Sequence, residues 1–307
     1  MKSLQWIIDT VYRNPRARLS RFRRFGGYLE YKKMLAGEAA MENYAERLPP
    51  VQSFDYGYPV FFLTGQKYFH QTLYCIRSLS LVTGKRLRIT IVDDGSFDSG
   101  LISRVNRQLP GAAVITREAI DQQLNELLPA EIFPHLRSRR EVYPHLRKLT
   151  DVHTISSVSD WKLVLDSDML FWREPLEIIN WLENADRPVY MTDCAECYGY
   201  SRESMEALTG YGVPLKLNVG VIGLNSASID WEQVDYWIGK LEQTQGTSYF
   251  LEQALTAMLI GTKPSLVLPA RTYQVNPAAG EPDKECILRH YVDLSKKDYF
   301  NRAWRKL

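Results

Sequence analysis

Two kinds of apolar segment alternate along the chain from residue 58 onward. Short runs rich in β-branched and aromatic residues predict buried strands, and longer stretches with apolar residues at helical spacing predict helices between them. The predicted strands are Tyr58–Leu63, Leu87–Val92, Val114–Thr116, Trp161–Leu165, Pro188–Thr192, Val219–Leu224, Ser265–Leu268 and Cys286–Tyr291. The predicted helices are Tyr68–Val82, Ile120–Leu128, Tyr143–Ser156, Trp231–Leu241 and Tyr249–Ile260. This alternation predicts an α/β fold in which helices cover both faces of a mostly parallel sheet.

The first fifty residues follow a different pattern. The Pro49-Pro50 pair stops a helix and favours an extended connection. We therefore expect an N-terminal arm over 1–50 and one domain over 51–307. Apolar residues recur at helical spacing within Leu4–Val11, which indicates that the arm is helical.

Positive charge is concentrated in the same arm. The whole chain carries 38 Lys and Arg against 36 Asp and Glu, a net charge of +2. Residues 1–33 carry nine basic and two acidic residues, or +7, so the remainder sums to −5. A basic arm with interspersed aromatic residues can make a peripheral contact with an anionic membrane, and the alternative is a solvated arm that packs loosely on its own domain. We expect no nucleic-acid partner, because no nucleic-acid-binding motif accompanies the charge.

The composition is that of an ordinary soluble globular protein, with 45% hydrophobic and 24% charged residues among 307. This excludes a collagen and a wholly disordered chain, and four cysteines are too few for a disulfide scaffold of this size. No uncharged apolar run approaches the roughly 18 residues of a membrane-spanning helix. The first residues also lack the apolar core of a secretory signal. We therefore expect a cytoplasmic protein, at the inner face of the membrane if the arm binds lipid.

Three predicted strands end in polar residues, at the positions where α/β sheets bind ligands. The strand ends are Thr64-Gly65, Asp93-Asp94-Gly95-Ser96 and Asp166-Ser167-Asp168. Residues two apart on an extended segment point to the same side, so the carboxylates of Asp166 and Asp168 can converge. Two close like charges are costly unless a cation joins them, and carboxylate oxygens suit Mn²⁺ or Mg²⁺. The pair therefore predicts a metal site, and such a metal could neutralise a diphosphate.

The region around this pair resembles a known family. Leu165–Leu170 with the following Arg173-Glu174-Pro175-Leu176 resembles the Asp-x-Asp region of GT-A glycosyltransferases, especially family 8 and its relatives. Later segments are similar to further family elements in the same order: Asn218–Asn225 to Asn-x-Gly-Val, Leu251-Glu252-Gln253 to an acidic helical element, and His290 with Lys296 to His-x5-Lys.

The chain also departs from that family. Asp293 stands where the family has a glycine between the histidine and the lysine, and the usual Pro-Trp after the lysine is missing. Ile91–Asp98 instead resembles the segment of family 2 whose first aspartates bind the base and ribose. The resemblance covers roughly residues 58–300 and implies the GT-A, Rossmann-like fold.

The resemblance implies a role for each matching position. The implied metal ligands for Mn²⁺ or Mg²⁺ are Asp166, Asp168 and His290. The implied nucleotide-side residues are Thr64, Asp93, Asp94, Lys148, Asp151, Asp166 and Lys296. The implied sugar-side and acceptor-side residues are Asp193, Asn218, Glu252 and Gln253. For Asp93 and Asp94, a purely structural role in the turn is equally compatible with the sequence, since Asp-Gly is a strong turn pair.

We therefore predict a metal-dependent glycosyltransferase that moves a sugar from a nucleotide-sugar, with UDP favoured, to a glycan or lipid-linked acceptor. The family 8 elements favour retention of stereochemistry, and the family 2 segment favours inversion. A sugar nucleotidyltransferase and a non-catalytic nucleotide-sugar-binding protein are the alternatives. No Gly-x-Gly-x-x-Gly or Gly-x-x-x-x-Gly-Lys occurs, which argues against a Rossmann dehydrogenase and a P-loop enzyme.

Overall fold

The computed structural model describes residues 20–307. Residues 1–19, which include the predicted helical run Leu4–Val11, lie outside the described residues. The strands are β1 (Tyr58–Thr64), β2 (Leu87–Asp93), β3 (Ala113–Ile115), β4 (Trp161–Leu165), β5 (Met169–Phe171), β6 (Val189–Thr192), β7 (Leu217–Asn225), β8 (Leu266–Leu268), β9 (Tyr273–Val275) and β10 (Leu288–His290).

Seven of these strands form one sheet in the order β3-β2-β1-β4-β7-β6-β8. The pairs β1–β2, β1–β4, β2–β3 and β6–β8 are parallel, whereas β7 runs antiparallel to both β4 and β6. The predicted mostly parallel sheet is thus confirmed. Because β1, β2 and β4 are parallel neighbours, their carboxyl ends lie at one edge, and Thr64 pairs in register with Asp93.

The helices pack on both faces of this sheet, as predicted. They are α1 (Tyr28–Ala45), α2 (Phe69–Val82), α3 (Ser99–Gln108), α4 (Arg117–Leu127), α5 (Pro134–Val142), α6 (Arg147–Thr154), α7 (Leu176–Glu183), α8 (Arg202–Thr209), α9 (Trp231–Gln245), α10 (Leu251–Ile260) and α11 (Lys296–Asn301). Alternate side chains of β1 enter opposite apolar layers: Val60 and Phe62 join one buried cluster and Phe61 joins the other. A strand buried on both faces explains its continuous apolar run.

One predicted helix is shorter than expected. The predicted Tyr143–Ser156 helix begins only at Arg147, after a 3-10 turn over Pro144–Leu146. Pro144 has no N–H to donate and its ring restricts the residue before it, which excludes Tyr143 from the helix.

A second, smaller sheet has the order β5-β10-β9. In it, β10 pairs antiparallel with β5, with His290 opposite Met169, and parallel with β9. The backbone N–H of Tyr291 also donates to the carbonyl oxygen of Asp168 at 2.9 Å. This pairing brings a late segment of the chain beside the Asp-x-Asp motif.

The second half of the predicted arm is helix α1, which packs on α11 and α2. Met34, Met41 and Ala45 are its buried apolar residues. The division of the chain at residue 50 stays a prediction. Within residues 20–307, no helix is both long enough and apolar enough to cross a bilayer.

Candidate functional site

Both aspartates of the Asp-x-Asp motif lie with His290 at the carboxyl edge of the large sheet. Asp166 follows β4 and Asp168 precedes β5. The Nε2 atom of His290 is 3.1 Å from Asp168 Oδ1 and 3.5 Å from Asp166 Oδ2. One donor atom from each of the three residues lies within 4.8 Å of the others. Two carboxylates and an imidazole at this spacing could hold a divalent cation.

A lysine holds the second oxygen of each aspartate. Lys148 Nζ is 2.8 Å from Asp166 Oδ1, and Lys296 Nζ is 2.6 Å from Asp168 Oδ2. The remaining carboxylate oxygens face the ring of His290. The ion pairs therefore orient both carboxylates while leaving the converging oxygens available to a ligand.

Opposing effects act on the carboxyl group of Asp168. Burial raises its pKa, but the nearby Lys296 and His290 lower the pKa by more. The net pKa of Asp168 therefore lies well below the usual range of an aspartate. The group is a carboxylate at any pH at which the protein would be assayed.

Glu252 lies on the other side of Lys148, with 3.5 Å between the carboxylate and the ammonium group. Burial raises the pKa of Glu252 to about 7, and Lys148 lowers the pKa by less. For Lys148, burial lowers the pKa, but Asp166 and Glu252 raise the pKa by more. Lys148 is therefore a fixed, buried cation shared between two acidic residues.

The second ring nitrogen of His290 belongs to a hydrogen-bonded network. His290 Nδ1 is 3.1 Å from Asn218 Oδ1, which also accepts from the backbone N–H of Gly220 at 2.9 Å. The amide group of Asn218 donates to Asp193 Oδ2 at 2.8 Å, and that oxygen accepts from Gln253 Nε2 at 3.3 Å. An amide oxygen only accepts, so the contact with Asn218 Oδ1 favours a proton on Nδ1 of His290, and in the tautomer protonated only there Nε2 is the free nitrogen on the side of the aspartates. This is the tautomer that a metal-ligating imidazole requires.

Strand β7 leaves room for that imidazole ring only because residue 220 is glycine. A Cβ atom at Gly220 would lie 2.5 Å from His290 Cε1 and 2.9 Å from Asn218 Oδ1. Real Cβ atoms do not approach other heavy atoms so closely. The glycine of the Asn-x-Gly-Val segment therefore gives the histidine its position.

The predicted nucleotide-side residues at the ends of β1 and β2 are held by local contacts. Asp93 Oδ1 accepts from the backbone N–H groups of Gly95, Ser96 and Phe97 at 2.7–3.1 Å, so this oxygen forms the turn. Thr64 is buried and accepts from Thr72 at 2.8 Å.

Asp94, beside them, accepts from the backbone and the hydroxyl of Ser96. Arg147 donates to its carbonyl oxygen. The roles of Thr64, Asp93 and Asp94 toward a nucleotide stay predictions.

The structure does not bring Asp151 to the cluster. Its carboxylate accepts from Arg140 at 2.7 and 2.9 Å and from Thr150 at 2.7 Å, and it is only 1% exposed. Both of its oxygens are therefore engaged inside the protein.

Gln71 joins the cluster without having been predicted. Its side-chain oxygen accepts from Lys296 Nζ at 3.2 Å, and the residue is buried. His70, Gln71 and Thr72 are consecutive buried polar residues in the first turn of α2. A polar run at the start of an otherwise apolar helix is the signal that could have revealed it.

A cavity of about 410 Å³ adjoins the far end of the polar network. Its lining includes Asp193, Cys194, Gln274, Val275 and Arg289. The Arg289 guanidinium donates to Gln274 and to two backbone carbonyl groups, so it fixes the wall rather than presenting a free cation.

No protein-family model and no curated protein sequence matches this chain. Two solved structures of the galactosyltransferase LgtC are similar to it, each over 76% of this chain and 86% of the LgtC chain. The LgtC structure in complex with donor and acceptor sugar analogs has 15% sequence identity to this chain and a TM-score of 0.50. The structure of an LgtC active-site mutant has 14% sequence identity and a TM-score of 0.52. The chain has the GT-A glycosyltransferase fold. The apo form of mouse xyloside xylosyltransferase 1 matches over 78% of this chain and 98% of its own, with 12% identity and a TM-score of 0.48.

Within the GT-A fold of this chain, the cluster occupies the carboxyl edge formed by β1, β2 and β4. That edge is where open parallel sheets bind their ligands. The fold brings together all of the predicted metal ligands, both predicted lysines and the Asp193–Asn218–Gln253 group.

Proposed function

We propose that this chain is a metal-dependent glycosyltransferase that transfers a sugar from a nucleotide-sugar to an acceptor hydroxyl. The observation that carries the proposal is the convergence of Asp166, Asp168 and His290 at the ligand-binding edge of a GT-A sheet. LgtC, which shares this fold, has been solved with donor and acceptor sugar analogs. By analogy with the predicted family elements, we favour a UDP-sugar donor and retention of stereochemistry.

The three residues fit a divalent cation, since two carboxylate oxygens and a neutral imidazole nitrogen suit Mn²⁺ or Mg²⁺. When bound, such a cation would neutralise the diphosphate and stabilise it as a leaving group. The protein contributes fixed geometry. Lys148 orients Asp166, and Asn218 orients His290.

Lys296 has a second task in this proposal. Its ammonium group lies 2.6 Å from Asp168 and is partly exposed on the edge where the diphosphate would bind. It would donate to a phosphate oxygen as negative charge develops there, and preorganised donors of this kind contribute strongly to catalysis. Lys148 is buried between two acidic residues, so in this proposal it contacts them and does not bind the diphosphate.

The transferred sugar would lie between the cation site and Asp193. Asn218 and Gln253 each donate to Asp193 Oδ2 and fix the direction of that carboxylate. We place the acceptor in the cavity beside Asp193. We propose a glycan or lipid-linked acceptor, in a cytoplasmic protein whose residues 1–33 contact the membrane surface.

A donor screen tests this function. UDP-sugars and other nucleotide-sugars are incubated with the full chain and Mn²⁺, and released nucleoside diphosphate is measured with and without chelator. We expect release that depends on the metal. Binding without turnover would instead indicate a non-catalytic nucleotide-sugar-binding protein. Formation of a nucleotide-sugar from a nucleoside triphosphate and a sugar phosphate would indicate a nucleotidyltransferase.

A further inference from the structure

The position of Lys296 depends on helix α11, whose first residue it is. Its Nζ atom contacts Asp168 at 2.6 Å and Gln71 at 3.2 Å. A lysine side chain has many rotamers, so a defined ammonium position requires a fixed backbone beneath it. Helix α11 has only six residues, which is too short to hold that position by its own hydrogen bonds.

Helix α1 supplies the missing support at Gly37. A Cβ atom at this position would lie 2.5 Å from the carbonyl oxygen of Phe300 and 2.8 Å from Asn301 Oδ1. The two helices therefore touch backbone to backbone at a place where only glycine fits. Met34 and Met41, one turn before and one turn after on the same face, are buried in the core.

Two ion pairs connect the N-terminal segment to α11 and to the turn that precedes it. Arg24 contacts Asp293 at 2.5 Å, and Glu30 contacts Lys297 at 2.6 Å. Asp293 has a φ of 47°, in the left-handed region where residues other than glycine are strained. Exposed ion pairs contribute little to global stability, so we expect their effect here to be local to this turn and the start of α11.

Glu38 is half-buried on α1. Burial raises the pKa of its carboxyl, and the ammonium groups of Lys296 and Lys67 lower it by less. The side chain thus lies within electrostatic reach of the same lysine that pairs with Asp168.

We propose that residues 24–38 form the support that positions Lys296 at the donor site, so that this segment serves the transfer reaction. The inference rests on the proposed function for what Lys296 binds. Gly37, Arg24 and Glu30 are positioning residues that act through α11, and none of them touches the substrate.

The first experiment compares Gly37→Ala with Ala39→Gly. The former improves the intrinsic helix propensity of α1 but forces it away from α11, and the latter weakens α1 at an exposed position without touching α11. We expect Gly37→Ala to weaken Mn²⁺-dependent binding of UDP about tenfold, and Ala39→Gly to bind like the wild type. In a Lys296→Ala background, Gly37→Ala should have no further effect, because the ammonium group it would displace is gone.

Amide hydrogen exchange over residues 292–301 supplies a readout that needs no ligand. Faster exchange there in Gly37→Ala, and not in Ala39→Gly, supports the proposal even if the wild type fails to bind UDP. That failure would count against the proposed function alone. Unchanged exchange and affinity in Gly37→Ala, or the same change in Ala39→Gly, would overturn the proposal.

A double-mutant cycle covers the case in which Gly37→Ala does not fold. Arg24→Gln and Asp293→Asn remove the charges of an exposed pair, and asparagine tolerates a positive φ. Each should speed exchange over residues 292–301, and the double variant should change it no more than either single variant. Additive effects, or none, would contradict the role of this pair.

Discussion

His290 is constrained at both ring nitrogens, and this is what distinguishes it from a surface histidine. Nδ1 is occupied by Asn218 and Nε2 faces two carboxylates. A Cβ atom at residue 220 would clash with the ring, so the glycine there leaves the ring its space. These contacts hold the imidazole ring of His290 in one orientation. Single substitutions of the cluster residues therefore test the site most directly.

Replacing Asp168 by Asn should lower metal-dependent release of nucleoside diphosphate on the order of a hundredfold or more. The amide removes the negative charge that faces both His290 and Lys296. Asp186→Asn is a matched control, since Asp186 is exposed and precedes β6 at the opposite edge of the sheet. Initial rates at saturating Mn²⁺ provide the measurement, and a wild-type rate for Asp168→Asn would remove this residue from the site.

Replacing His290 by Ala should weaken nucleoside diphosphate binding in the presence of Mn²⁺ by on the order of 10–100-fold. Binding of the same nucleotide in the presence of chelator should change far less, because a metal ligand affects nucleotide binding through the cation it holds. Calorimetric titrations under both conditions separate the two. Equal losses would make His290 a structural residue and not a ligand.

At the scale of elements, the site is made where the two sheets meet. Strand β4 delivers Asp166, β7 delivers Asn218, and β10 delivers His290. The short β5–β10 pairing sets the distance between Asp168 and His290. The distances within the Asp166–Asp168–His290 cluster thus depend on strand register.

Substituting Gly220 by Ala tests that dependence on register. The added methyl group would push the His290 ring away from the aspartates, so we expect loss of Mn²⁺-dependent activity with a smaller loss of stability. Gly223→Ala on the same strand would instead clash with Trp181 and Val189 in the core, and should mainly lower the melting temperature. Activity and thermal unfolding are measured for both variants. If both variants show the same ratio of activity loss to stability loss, Gly220 has no specific role in positioning His290.

Sequence pattern predicted the elements with strong apolar signals and the acidic and basic residues at their ends. Strands β1 and β4 were located to within a residue, because each is buried on both faces. Helix α5 was missed because it is mostly polar, with Leu136 as its one buried apolar residue. Strands β5 and β9 have three residues each, too few for any periodicity to show.

The metal cluster could be predicted only through the family resemblance. Spacing alone explains why Asp166 and Asp168 converge. Spacing cannot predict the position of His290, which is 122 residues away from Asp168 and lies on a strand of only three residues. For Asp151 the sequence predicted a place in the site that the structure does not show. Its position on α6 suggested the site, but Arg140 from α5 binds both of its carboxylate oxygens.

At the scale of the whole molecule, buried histidines give the fold a pH dependence. Burial lowers the pKa of His70 to about 4 and that of His153 to about 3, from 6.5. Above pH 6.5 the folded and unfolded states are both neutral at these residues. Below it, only the unfolded state takes up protons, so stability falls as the pH falls.

Each of the two histidines should therefore lower the free energy of unfolding by about 2 kcal/mol between pH 7 and pH 5. Glu252 opposes them in this range, because its raised pKa lets the folded state take up a proton first. The His153→Asn variant isolates the contribution of His153 to this pH dependence. The difference in free energy of unfolding between the variant and the wild type should shift in favour of the variant as the pH falls. Urea denaturation at several pH values measures this, and a pH-independent difference would exclude His153 as a source.

The basic arm makes a second prediction for the whole molecule. Each basic residue near an anionic surface contributes on the order of 1 kcal/mol, and the rest of the chain carries the opposite charge. We expect the full chain to sediment with anionic vesicles at low salt and much less at high salt. The matched variant replaces the four basic residues of 1–19 by Gln, which leaves α1 intact. Sedimentation equal to that of the wild type would indicate that the basic residues of 1–19 have no role in membrane binding.

The pairing of β5 with β10 also has a consequence for biosynthesis. Ribosomal synthesis proceeds from the N-terminus, and early segments begin to fold before later ones exist. The Asp166–Asp168 pair is therefore synthesised before His290 and Lys296, which contact it in the folded protein. Until residues 288–296 emerge from the ribosome, the nascent chain carries both carboxylates with Lys148 but without the other two groups, so the site is completed only when the last part of the chain folds.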